Sequence, residues 1–522
     1  MPRRKTRFDM PWPVNGLVDV VAYENQPRGS SVDLQNVRAF DPGTGRARGA
    51  QRAGLAKYSS ARVADDQVQE IGHVVARAVP TGQASLNQRT IVPYVITSGT
   101  VATFASGATT TATNGSGALS TSAPVIFSSA LDGVVYFADG TSEKKWTAST
   151  NTVAAWAESA GTMPVSGSDR PRLIETWRGR IVLSGVKGDE HNWFMSKMRD
   201  ANDWDYAPGT ATAIQAVAGN IQDAGKSPDI INGIIPFSDD ILVFLGDHTV
   251  YQMTGDPAES GRIDALSTSI GGAWGRAWCL APDGSAYFFG SRGGVYRLVP
   301  GSKPQNITQG SIEERLVDVN LNTSLVRMVW NDREKGINVF ITDLGGGASV
   351  HYFYDTRNNS WWLDKFATAD HNPTAVHVYD GDAVGDRVVL LGGQDGYIRK
   401  IDYDTPAAND DSAAIDAYAY LGPIQLQNRP KLMLTEMKGA VATGSNPVAW
   451  DLYAAETAEA AKAASSKASG TFAAGRNRSD RARVTGHDIF IRLRNNTSAQ
   501  KFSMEFLGVE LNSFDGPRAK QW

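Results

Sequence analysis

Ala286-Tyr-Phe-Phe-Gly-Ser-Arg-Gly-Gly-Val-Tyr296 reads as an apolar strand, a turn of small residues that tolerate positive φ, and a second strand carrying an aromatic. The same unit recurs along the chain. It appears at Val134-Val-Tyr-Phe137 before Asp139-Gly140 and Lys145-Trp146, and at Ile241-Leu-Val-Phe-Leu245 before Gly246-Asp247 and Val250-Tyr251. A further copy is Val388-Val-Leu-Leu391 before Asp395-Gly396 and Tyr397-Ile398, and looser ones begin at Ile91, Ile181 and Ile337. The leading strands start near 91, 134, 181, 241, 286, 337 and 388, about 43 to 60 residues apart, which is close to the period of a four-stranded propeller blade. The pairs Asp132-Gly133, Asp283-Gly284 and Asp395-Gly396 suit tight hairpin turns.

The expected fold is therefore all-β: a β-propeller of six or seven blades over residues 61–410. The rival is a stack of unrelated β-sandwich domains built from the same strands. After residue 410 the period breaks, and strands near 417–426, 432–441, 449–453, 489–493 and 502–511 predict a β-sandwich-like platform domain over 411–522, with one short helix around 456–467. Residues 1–60, rich in Pro, Arg and Gly, read as an extended N-terminal arm that needs something to lie on.

Composition narrows the function. Among 522 residues, 51 Lys and Arg face 55 Asp and Glu, so the net charge of −4 supplies no global field for a polyanion, and any nucleic-acid contact has to be local. The single cysteine, Cys279, excludes an intramolecular disulfide and a multi-thiolate metal site; its apolar setting makes it a small hydrophobe. No apolar run is long enough for a membrane-spanning helix, and Met1 to Asp9 lacks the apolar stretch of a secretory signal, so synthesis in a reducing compartment is expected.

Catalytic signatures need set residues at set spacings, and they are missing. There is no H-E-x-x-H and no G-x-S-x-G; Gly225-Lys226-Ser227 lacks the first glycine of a phosphate loop, since Asn220 stands there. None of the seven histidines has a partner at i+4, and His371 and His377 could meet only in a loop. Acids at Asp380, Asp382, Asp386, Asp402, Asp404, Asp410 and Asp411 are the candidates for paired carboxylates, and they read as solvated turn residues. The reading is a non-enzyme without cofactor or metal. Trp177, Trp193, Trp204, Trp274, Trp278, Trp330, Trp361 and Trp362 fall at or beside strands, where they can fill the wedge between blades or serve subunit contacts.

Two basic segments remain. Arg3, Arg4, Lys5 and Arg7, continued by Arg28, Arg38, Arg46, Arg48 and Arg52, make the arm cationic, and Arg476, Arg478, Arg481 and Arg483 read as a basic loop. Such stretches can neutralise phosphates without reading bases. Each can equally be a solvated tail or turn.

Asp33-Leu-Gln-Asn-Val37, Gly43-Thr-Gly45-Arg46-Ala47-Arg48-Gly49 and Arg52-Ala53-Gly54-Leu55 resemble the opening of the tail nozzle proteins of short-tailed bacteriophages, also called tail tubular protein B or packaged-DNA stabilisation proteins. His191-Asn-Trp-Phe-Met-Ser196, Gly271-Gly-Ala-Trp274-Gly275 and the closing Glu505-Phe-Leu-Gly-Val-Glu510 are similar to later parts of that family. One departure is that Arg48-Gly49 and Arg52-Ala53-Gly54 stand where an Arg-Pro-Gly turn is common. The resemblance implies a virion component made in the host cytoplasm: a homo-oligomeric ring, usually of six copies, below the portal and bound to the adaptor (head-to-tail connector) protein. Its implied partners are tail fibre or needle proteins and, in the lumen, genomic DNA held without sequence specificity. On that view Arg476, Arg478, Arg481 and Arg483 are candidates for the DNA channel or the adaptor joint, and Arg3, Arg4, Lys5, Arg7, Arg46, Arg48 and Arg52 for arm contacts. The alternative is a host-glycan-binding or glycan-cleaving tail propeller, which requires convergent carboxylates and an exposed Trp in one central pocket; a scaffold for protein partners is the third reading.

Overall fold

The computed structural model describes residues 5–77, 89–105, 107–381, 384–403, 409–426, 430–479 and 482–514. Among them, seven blade sheets follow one another in the chain, six of four antiparallel strands and a seventh that is extended. Their first strands are Val68–Arg77, Phe127–Leu131, Leu173–Trp177, Ile231–Ser238, Trp278–Leu280, Ser324–Asn331 and Ala375–Asp380. Neighbouring first strands touch around the cycle, the seventh blade returning to the first, and between blades four and five the contact is made by the 271–276 loop, whose Gly275 amide donates to the Asn232 carbonyl oxygen, so the strands wall a common axis. The propeller reading holds, with seven blades. The recurring strand that the sequence exposes is the second of each blade, as in Ala286–Phe289 and Arg387–Gly392, because that strand is packed on both faces and reads as an unbroken apolar run. In the hairpin at Asp132-Gly133, both residues take positive φ (49° and 82°), the backbone that an Asp-Gly pair adopts readily.

The tryptophans mostly pack the blades. Trp146, Trp193, Trp204, Trp361 and Trp362 are fully buried, and the Trp156 and Trp204 rings pack tilted against each other at 5.9 Å. Among the described blade tryptophans, Trp274 stands exposed.

The N-terminal segment lies on the rest of its own chain. Here β1 (Lys5–Asp9), β3 (Val37–Phe40) and β4 (Ala47–Gln51) join a seven-stranded sheet with Ser503–Phe514, Lys431–Val441, Gly475–Ser479 and Val484–Gly486. A five-stranded sheet of β2 (Leu34–Gln35), Ala417–Ile424, Asp488–Asn495, Val448–Ala455 and Ala468–Phe472 faces it across Leu434, Trp450, Ile491 and Leu511. The two sheets make the sandwich, and the short helix forms at Ala458–Ala463, capped by the Thr457 hydroxyl accepting from the Ala460 amide.

Next, β5 (Gly54–Lys57) pairs antiparallel with Ile398–Asp402 as the fourth strand of the seventh blade. The ring is thus closed by a strand from the opposite end of the chain. One apolar cluster runs from the sandwich (Leu434, Leu493) through Leu34 and Val37 into blades five and six (Phe289, Ile337, Trp361), so the two modules share a core. Among the described residues, no helix is long and apolar enough to cross a membrane.

Candidate functional site

The arginines of the N-terminal segment are best understood from what burial demands of them. A guanidinium taken out of water needs carboxylates and hydrogen bonds around it. Arg38, 2% exposed, donates through Nε to Glu334 at 2.8 Å and through both terminal nitrogens to Asp364 at 2.7 Å, and stands over the Phe353 ring. Burial opposes its charge, and Asp364 and Glu334 outweigh that, holding its pKa above the ordinary value. Arg52 grips Asp410 with two hydrogen bonds at 2.9 and 2.6 Å, donates to Asn36 at 2.9 Å and lies over Phe366. Arg48 pairs with Asp41 and Glu505, and Arg7 donates to Glu510 at 3.0 Å.

These pairs place three of the candidate arm residues, Arg7, Arg48 and Arg52, in contacts within the chain. Arg52 and Arg48 are clasps within the chain, and Asp410, read as a solvated turn acid, is fully buried as Arg52's partner. Arg46 is exposed. The basic stretch is corrected as well: Arg476 and Arg478 stand on the strand Gly475–Ser479 rather than in a loop, and Arg478 bonds Glu436 at 2.7 Å. Arg483 is exposed, while Arg3, Arg4 and Arg481, with Asp382 and Asp404, lie outside the described residues, as does the side chain of Lys5.

The groups that the structure does bring together lie at the propeller axis. The loop Gly271-Gly-Ala-Trp-Gly-Arg276 leads into blade five and dips towards the centre. Two glycines allow this: a Cβ on Gly271 would stand 2.1 Å from the Asp247 carbonyl oxygen, and Gly275 (φ +84°) has the Phe127 ring 2.5 Å from where its Cβ would be. Arg276 then spans three other blades, donating to Glu70 at 2.7 Å, Glu175 at 2.6 Å and the Ser128 carbonyl oxygen at 2.5 Å. Burial, then the partial relief from Arg276, leaves both glutamates with raised pKa values. The Arg327 guanidinium stands over the Phe127 ring, 5.0 Å from its centroid; burial lowers its pKa to about 10. His73 and His377, on the first strands of blades one and seven, meet at 2.6 Å, and burial pushes His377 down to about 3. Together these contacts tie blades one, two, three, five and seven to one another on the axis side.

Above the plug, Trp274 is 40% exposed, its ring tilted against Phe127 at 5.2 Å. It separates two cavities. One, of about 290 Å³, is lined by Ser122, Thr141, Asp139 and Arg172; the other, of about 430 Å³, by Asn232, Asp247, Ser291 and Asn322. Their walls come from the starts of blades two to six, so Trp274 stands near the middle of that face. The sequence placed Trp274 among the blade tryptophans; the run of glycines around it is the signal that sets it apart.

Cys279 is buried and its thiol pKa is pushed up by that burial. Among the described residues, no group of three or more His, Cys, Asp or Glu side chains is arranged to hold a metal ion.

No protein-family model and no curated protein matches the chain. Solved structures with a similar course include the extracellular domain of a hybrid two component system from B. thetaiotaomicron (12% identity, TM-score 0.43, covering 83% of this chain and 56% of that one). Others are the GH74 xyloglucanase from Xanthomonas campestris (11%, TM-score 0.41, 71% and 60%) and the GH74 enzyme of Niastella koreensis (12%, TM-score 0.40, 71% and 59%). The chain spans between 56% and 60% of the length of these neighbours, and likenesses of this size bear on neither activity nor partners.

Proposed function

We propose that this chain is a structural component of a phage tail, a wall unit of the nozzle ring that retains packaged DNA and conducts it during ejection. The observation that supports the reading most is the stitching of the chain: β1–β4 complete the sandwich, β5 closes the propeller, and Arg38 and Arg52 lock the segment between them into blades six and seven. A body joined at so many points transmits load without internal hinging, which a ring wall requires and a ligand-triggered clamp does not. Because Arg276 ties blades one, two and three across the propeller axis, a DNA passage on this reading runs between copies of the chain. Exposed Arg46, Arg476 and Arg483 are among the cations that could face it. The test is electron microscopy and mass photometry of the purified chain, alone and mixed with particles that lack a tail tip. Closed rings with an open lumen, free or seated on the particles, support the reading; single discs under every condition overturn it.

A second reading, a glycan-binding tail propeller, is favoured by one specific observation: an exposed tryptophan between two polar cavities at the mouth of the axis. Glu70 and Glu175 are the nearest thing to convergent carboxylates, and both are occupied by Arg276 beneath that mouth. Binding therefore fits better than cleavage.

A further inference from the structure

The mouth of the axis carries chemistry more specific than a generic sugar platform. Arg172 rims the smaller cavity together with Thr141, Ser122 and Trp274. Its position is set by backbone: the Gly140 amide donates to the Pro171 carbonyl oxygen at 3.2 Å, the Arg170 amide to the Gly140 carbonyl oxygen at 3.1 Å, and the Arg172 amide to the Ser184 carbonyl oxygen at 3.1 Å. Its stem runs over Gly140, where a Cβ would come within 3.1 Å of both Cγ and Nε.

The nearest acid in that cavity cannot serve Arg172, because its acceptor sites are taken. Asp139 accepts from the amides of Thr141 (2.8 Å), Ser142 (2.6 Å) and Ser120 (2.8 Å) and from the Ser142 hydroxyl (2.7 Å). Among the described residues, no acid stands within ion-pair reach of the exposed Arg172 guanidinium. The cavity thus offers a guanidinium without an ion-pair partner among the described residues, hydroxyls and one aromatic face.

We propose that this mouth binds an acidic saccharide, with a pyranose face stacked on Trp274 and its carboxylate on Arg172. The inference rests on the glycan-binding reading above and sharpens it. A guanidinium presents a planar fork that matches a carboxylate, and Thr141 and Ser122 can exchange hydrogen bonds with ring hydroxyls. The second cavity, with Asn232 and Asn322, continues the path on the far side of Trp274, room for a neutral neighbouring residue of the same oligosaccharide. A nucleic-acid strand fits less well. It needs a row of cations along its phosphates, whereas here a single Arg172 is set against Asp139 and Asp247.

Isothermal titration of the full chain with tri-galacturonate, its methyl ester, sialyllactose and lactose tests this. The expected result is binding of an acidic member at least about tenfold tighter than its neutral counterpart, an advantage that shrinks with added salt. Arg172→Gln should remove that advantage and leave residual binding, while Trp274→Ala should abolish binding of both forms. Thermal melts confirm that each variant is folded. Equal binding of acid and neutral forms, lost in Trp274→Ala, overturns the acidic assignment and leaves the glycan-binding reading standing. Binding indifferent to Trp274→Ala overturns the site. No binding by any of the four saccharides overturns both the inference and the reading on which it rests.

Discussion

Replacing Arg276 by alanine is the most informative single perturbation of the propeller. Arg276 is held at 2.6 and 2.7 Å from two carboxylates whose side chains are only 12% and 6% exposed, and it is itself 28% exposed. Removing one partner of a buried ion pair costs about 3–5 kcal/mol, because the remaining charges keep their desolvation penalty. At about 2 cal/mol/K per residue, a propeller of roughly 350 residues has an unfolding entropy near 0.7 kcal/mol/K, so the melting temperature should fall by about 4–7 °C. The pH dependence follows from Glu70 and Glu175, whose pKa values are raised by burial against the pull of Arg276. Without Arg276 they rise further. A group with a raised folded pKa contributes its stability at low pH and loses it as pH climbs through that value, so the deficit of Arg276→Ala should be largest at pH 7.5 and smaller at pH 5. Scanning calorimetry of both proteins at the two pH values checks this. A variant that melts within about 1 °C of the parent at pH 7.5, or whose deficit grows on acidification, would refute the cross-blade tie.

Other expectations bear on different parts of the molecule. Arg52→Ala strands Asp410, which is fully buried, and should cost about 3–5 kcal/mol, with protease cutting near β5 before the rest of the chain is attacked. His351 accepts from the Ile341 amide through Nδ1 and so donates from Nε2 to Asn372; burial lowers its pKa to about 4. A depressed folded value means stability that is present above pH 6.5 and lost as pH falls towards 4, on the order of 3 kcal/mol, and His351→Gln should flatten urea-unfolding stability over that window. Gly275→Ala forces a side chain into a positive-φ site against Phe127 and should cost about 1–3 kcal/mol in the same unfolding assay.

Much of the architecture is legible in the chain because a propeller repeats. Seven buried second strands leave seven apolar runs at near-regular spacing, and the Asp-Gly turns mark hairpins locally. The N-terminal segment was opaque for a physical reason: β1 and β4 pair with Ser503–Phe514, more than 450 residues away, and strands as short and charged as Val37–Phe40 show no period of their own. Likewise, a run of arginines looks like a polyanion site until each carboxylate partner is placed, and Arg38, Arg52 and Asp410 sit on three separate stretches of chain. The Arg276 cluster and the His73–His377 contact depend on ring closure, which brings residues 304 apart in the chain together at 2.6 Å. Trp274 differs from the other tryptophans only through the glycines beside it.

The central claim, that the seven blades close through β5 into a disc joined to the sandwich and built for assembly, is tested most directly by cryo-electron microscopy of the purified chain under ring-forming conditions. The account predicts seven blades per subunit, density for β5 on the outer edge of the seventh, and several subunits around an open lumen. An open propeller with β5 detached, or well-folded discs that never associate, would contradict it.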